Sequence, residues 1–150
     1  MLTEIEQQNL DIDWFFVNEN KIAFVASGGG KLPNSIAKLT EEKSLLLVSY
    51  FRNLEKKNEV IINPELDKLL NHDINDEYLN DFIYMAERGL YAFDKTVLNN
   101  FSESNYHLVV APINPLNVND LPTQIKEVLL QTTCNCNLES VLSIDITNIE

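Results

Sequence analysis

The sequence predicts an α+β fold: a mixed, mainly antiparallel sheet that opens with a β-hairpin and packs against about three helices in a single domain, residues 1–150. Three observations predict it. Residues 12–26 show the period-two spacing of paired strands, residues 40–58 show a helical apolar face with complementary end charges, and residues 106–111 form a second apolar run closed by a proline.

The hairpin comes first. Ile12, Trp14 and Phe16 alternate with Asp13, Phe15 and Val17, and Ile22, Phe24 and Ala26 alternate with Ala23 and Val25 across a turn at Asn18 to Lys21. Thr40 is placed to cap a helix with Glu41 and Glu42 in its first turn and Lys56 and Lys57 in its last, so both ends complement the macrodipole. Its Leu47, Tyr50, Phe51 and Leu54 share one face, widened by Leu46 and Val48. Val60 to Ile62 leaves room for a short strand. A second helix of about 12 residues starts at Asp76 and Glu77, repeats Leu79, Phe82, Ile83 and Ala86 on one face, and ends at Arg88-Gly89. Leu90 to Asp94 and Tyr106 to Ala111 then read as antiparallel strands, the latter ended by Pro112. Asp120 and Pro122 start a third helix carrying Ile125, Val128, Leu129 and Thr132, and a final strand covers Val141 to Ile146. The apolar faces place Trp14, Phe24, Phe51, Phe82 and Val109 in one common core.

Composition narrows the class. At 150 residues and 45% apolar content the chain is large enough to bury a core without disulfides. No apolar run approaches the roughly 20 residues that cross a bilayer. The start, MLTEIEQQNLDID, is acidic where a secretion signal is cationic and apolar, so the cytoplasm is the expected compartment. Acidic side chains outnumber basic ones 23 to 11, and the resulting charge of −12 repels nucleic-acid backbones and anionic lipid while favouring basic partners or simply solubility. Neither nucleic acid nor membrane is an expected partner.

The motifs point away from catalysis. Ser27-Gly28-Gly29-Gly30-Lys31 offers successive N–H groups and a cation, but Lys31 is followed by Leu32 and Pro33 rather than by the Ser/Thr of a phosphate loop. Gly28, Gly29 and Gly30 are therefore expected to serve backbone geometry at the exit of the hairpin. Asp73, Asn75 and Glu77 alternate as calcium ligands do, yet Tyr78 stands where the loop glycine belongs and Tyr84 where the bidentate glutamate belongs. Asp73, Asp76, Glu77 and Asp81 form instead a solvated acidic face suited to a partner. Cys134 and Cys136, one residue apart, lack an activating motif, and His72 and His107 have no metalloprotease spacing. His107 is expected as a satisfied strand residue and Trp14 as core. No metal or cofactor is expected.

The Asp13-Trp14-Phe15 strand with its hairpin return, the glycine-rich exit to Leu32-Pro33, the block Arg88-Gly89-Leu90-Tyr91-Ala92-Phe93-Asp94, and Tyr106 to Pro112 followed by Pro115-Leu116 and Leu121-Pro122 together carry a resemblance. They resemble small bacterial proteins of the immunity type, which are encoded beside polymorphic or contact-dependent toxins and neutralise them by binding. The resemblance points to no one immunity family. It implies a cytosolic, non-enzymatic inhibitor of a cognate toxin, and the acidic surface suits a basic toxin domain. Competing readings are a small ligand-binding or enzymatic domain built on Gly28–Gly30, and an adaptor subunit; the oligomeric state is open.

Overall fold

The computed structural model describes residues 1–70 and 74–150. Two strands, β1 (Asp13–Asn18) and β2 (Lys21–Ala26), form the expected hairpin, in register from Asp13 opposite Ala26 to Asn18 opposite Lys21. Its two-residue turn holds Glu19 at φ 55°. Helix α5 (Asp76–Glu87) precedes β4 (Tyr91–Lys95), which lies parallel to β2 and antiparallel to β5 (Asn105–Pro112). The far edge of β5 is shared by two short strands: β3 (Val60–Ile62) pairs with residues 110–112 and β6 (Ser143–Asp145) with residues 105–107. The result is a six-stranded mixed sheet, antiparallel except at β2 and β4.

This sheet is covered on both faces. In β1 and β2 every residue after the first is buried, because successive side chains enter opposite layers. Phe15, Val17, Ile22 and Phe24 pack with Leu47 and Phe51 of α3 (Glu41–Arg52), with Phe82 and Met85 of α5, and with Ile125 and Val128 of α6 (Thr123–Leu129). Trp14, Phe16, Ala23 and Val25 pack on the other side with Leu32, Ile36, Tyr106, Leu138 and Ile149. Trp14 therefore does not share the core of Phe24, Phe51, Phe82 and Val109: it has the opposite strand parity from Phe15, and it meets Tyr106 edge-on at 5.8 Å. A bulge explains why both Val109 and Val110 face the helices. Ala92 pairs with Val110 and Phe93 with Leu108, leaving Val109 as the extra residue.

The helices follow their caps. Thr40 Oγ1 accepts from the Lys43 N–H at 3.2 Å to start α3, but α3 stops at Arg52 rather than near Lys57. Asn53 turns the chain back by donating from Nδ2 to the Ser49 carbonyl at 2.6 Å, and the N–H groups of Lys57 and Asn58 both donate to the Glu87 carbonyl. Helix α5 runs the expected 12 residues. Asn75 caps it, and Gly89 closes it at φ 98°, where a Cβ would come within 2.7 Å of Leu116 Cγ. Helix α6 ends before Thr132, which is buried and donates to Ser35 Oγ. The final strand is shorter than expected: only residues 143–145 pair, while the Leu142 carbonyl accepts from the Leu108 N–H.

Three short helices complete the fold: α1 (Glu4–Asn9), α2 (Asn34–Ala37) and α4 (Leu66–Leu69). Helix α1 begins with a capping box in which Thr3 and Glu6 satisfy each other's backbone N–H groups. The buried Gln7 docks it, donating to the Leu2 carbonyl and accepting from the Leu32 N–H at 2.9 Å. The end of the chain is tied to the hairpin through Cys134, whose N–H donates to the Val17 carbonyl.

Candidate functional site

The glycine loop is built as backbone geometry. Gly28 and Gly29 take φ 54° and 73°, a region that L side chains avoid. A Cβ at Gly29 would approach the Gln8 carbonyl to 2.8 Å, and one at Gly30 would meet Lys95 Cε at 2.7 Å. Two of the loop's N–H groups are already committed within the fold. The Gly28 N–H donates to Asp11 Oδ1 at 3.0 Å and the Gly30 N–H to the Ser27 carbonyl at 2.8 Å. The nearby cation, Lys95, is buried and pairs with Glu103 at 3.1 Å while also donating to the Glu103 carbonyl. The depression outside the loop, about 260 Å³, is lined by Gln8, Gly28, Gly29, Lys95 and Asn99 to Phe101, below the roughly 300–1,000 Å³ of ordinary ligand pockets. Asp11 places a carboxylate at the nest, which opposes a second anion there.

The acidic face divides into parts with different duties. Asp76 and Glu77 are exposed in the first turn of α5, where they complement the helix dipole and face solvent. Asp81 is bound to the fold: Arg52 Nη1 and Nη2 donate to its two carboxylate oxygens at 2.7 and 3.1 Å. The same guanidinium donates from Nη2 and Nε to Asp13 Oδ2 at 2.7 and 3.3 Å. One arginine thus joins β1, α3 and α5. Burial pushes the Asp13 carboxyl above its ordinary range despite the pull of Arg52, and the two carboxylates raise Arg52 further. Asp73 lies outside the described residues, as does His72. Asp76, Glu77 and Asp81 are all open to solvent, and Asp81, 50% exposed, differs in being paired with Arg52.

His107 is buried in β5, inside a polar cluster. Its Nδ1 lies 3.0 Å from Thr96 Oγ1 and its Nε2 lies 3.3 Å from the Tyr78 hydroxyl, which donates to Asp94 Oδ2 at 2.7 Å. Burial and the Asp94 charge push the Tyr78 phenol well above its ordinary range. The cluster links α5 to the sheet. Cys134 is buried and Cys136 half-buried, and both are free thiols. The hydrogen bond between the two thiols, together with burial, pushes Cys134 up, and the same hydrogen bond pulls Cys136 down. Among the described residues no group of three or more His, Cys, Asp or Glu side chains is placed to hold a metal ion.

The surface feature that sequence reasoning missed is apolar. Leu45, two residues from the inward Leu47 on α3 and so on the opposite side of that helix, is 59% exposed. It forms a wall of two grooves, one of about 480 Å³ against α1 and one of about 650 Å³ against α6. The signal was present in the stretch Glu41-Glu42-Lys43-Ser44-Leu45, where one leucine falls off the buried stripe among charged neighbours.

Comparison with protein-family models, with curated proteins and with solved structures finds no match to this chain. Among the described residues no helix is long and apolar enough to cross a membrane.

Proposed function

We propose that this protein is a non-enzymatic immunity-type inhibitor that acts in the cytoplasm by binding a cognate, basic toxin domain. The observation that carries the reading is the charge of −12, displayed in part by solvent-facing carboxylates such as Asp76 and Glu77. A field of that sign draws a basic protein in and keeps nucleic acid away. Complementary fields raise association rates toward about 10⁸–10⁹ M⁻¹s⁻¹ at low salt, which suits an inhibitor that must act before its target does. The internal bonds of the Gly28 and Gly30 N–H groups, with Asp11 at the loop, support this reading over a nucleotide-binding one.

The test is kinetic. Association with the purified toxin domain encoded next to this chain should be fast and should slow steeply with added salt. Asp76→Lys with Glu77→Lys should lower the association rate and flatten that salt dependence. A rate indifferent to both salt and these charges would remove the steering mechanism.

A further inference from the structure

We propose that the double groove flanking α3 is the anchoring face, and that it takes a lysine- or arginine-rich protein segment carrying apolar anchor residues. Steering acts over distance and needs no contact, whereas a long-lived complex needs apolar anchors in desolvated pockets. The α3 face offers both charge and apolar grooves.

The first groove runs between α3 and α1 over Leu10, Ile12, Ile36 and Leu39, and the second runs between α3 and α6 over Leu46 and Val128. Leu45 stands between them, and Leu10, 46% exposed, is a second exposed apolar side chain on the first. A single exposed leucine is unremarkable, but one standing between two concavities partly lined by apolar side chains has the form that receives an amphipathic segment. Their rim selects the sign of the occupant. Glu6 and Glu41 border the first groove and Glu42 and Glu127 the second, against Lys43 as the basic side chain among the described lining residues. Glu41, Glu42 and Glu127 hold no ion pair among the described residues. A second copy of this chain would bring the same carboxylates against these, and an anionic lipid surface would be repelled. A basic segment meets the rim favourably on both sides.

The inhibitor reading supplies only the identity of the partner; the preference for a basic, apolar-anchored segment stands on the groove itself. The probe is therefore a synthetic amphipathic helical peptide of leucine and lysine, titrated into the full-length, methyl-labelled protein, with the peptide carrying glutamate for lysine as its control. The lysine peptide should shift the methyl resonances of Leu10, Ile12, Leu45 and Val128 saturably, and the glutamate peptide should not. Leu45→Asp, at an exposed position, should leave the circular dichroism unchanged and weaken binding about tenfold or more. Glu41→Lys with Glu127→Lys should weaken it as well and reduce its salt dependence. Shifts spread evenly over the acidic surface, or unchanged affinity in Leu45→Asp, would overturn the proposal. The same variants against the adjacent toxin separate the two readings. Neutralisation that survives Leu45→Asp overturns the groove and leaves the inhibitor reading standing, whereas groove binding of the peptide without any neutralisation supports the groove and removes the inhibitor.

Discussion

Arg52→Met tests whether one guanidinium holds the hairpin to two helices. The substitution keeps most of the aliphatic stem and removes every donor to Asp13 and Asp81. Breaking a buried pair costs about 3–5 kcal/mol and breaking an exposed one less than about 1. The Arg52 and Asp13 side chains are 31% and 23% exposed, between those limits, so we expect a loss of about 2 kcal/mol at about pH 7 after allowing for solvent screening. The pH dependence follows from Asp13. Its carboxyl is raised by burial even with Arg52 present, so the native state holds that proton more tightly than the unfolded chain. Stability from this group is therefore present at low pH and falls as pH rises through a window that opens at the ordinary aspartate value of 3.8 and closes at the raised native one. Removing Arg52 lifts the raised value further and widens the window upward. The loss should then be smaller at about pH 4 than at about pH 7, and Asp13→Asn should recover about 1 kcal/mol when added to Arg52→Met at the higher pH. Urea unfolding followed through the single tryptophan, the buried Trp14, gives each corner of the double-mutant cycle. A loss below about 0.5 kcal/mol at about pH 7, or an equal loss at both pH values, would show that Arg52 does not tie the hairpin to the helices.

Three further predictions use other parts of the molecule. Phe51→Ala removes a ring with no exposed surface that lies 4.8 Å from Phe15, so urea unfolding should show a loss of about 3–5 kcal/mol in one cooperative transition; a loss under about 1 kcal/mol would contradict its burial. Gly29→Ala forces a Cβ to 2.8 Å from the Gln8 carbonyl at φ 73° and should cost about 1–3 kcal/mol, while calorimetry with ATP or GTP shows no binding before or after the change. Asp76→Lys with Glu77→Lys should cost about 0.3–1 kcal/mol per site through the helix dipole, with native circular dichroism retained; collapse of the fold would show that these carboxylates have structural duties not described above.

Much of the scaffold was legible because it rests on local signals. The turn at Glu19-Asn20, the Thr40 cap, the Asn75-to-Gly89 helix and the antiparallel pair ended by Pro112 all depend on neighbours a few residues away. What escaped was non-local. The side chains of β1 read as alternating, yet the unbroken run Trp14-Phe15-Phe16-Val17 is what a strand covered on both faces requires. That run is why Trp14 and Phe51 belong to different cores. The parallel contact of β2 with β4 depends on a connection of more than sixty residues, which no local pattern encodes. The end of α3 depends on Asn53 and on the distant Glu87 carbonyl rather than on the lysines beyond it. The capping box at Thr3-x-x-Glu6 was a readable signal for α1, and with it for one wall of the α3 groove. The acidic positions were legible as residues but not as roles, because nothing within a few residues of Asp81 reveals its tie to Arg52.

The most direct measurement is co-expression of this chain with the product of the adjoining gene, followed by co-purification. The neighbouring product should be toxic alone, growth should be restored when this chain is present, and the two proteins should elute as a salt-sensitive complex. A non-toxic neighbour, or a toxin that kills equally in the presence of this chain, would contradict the inhibitor reading.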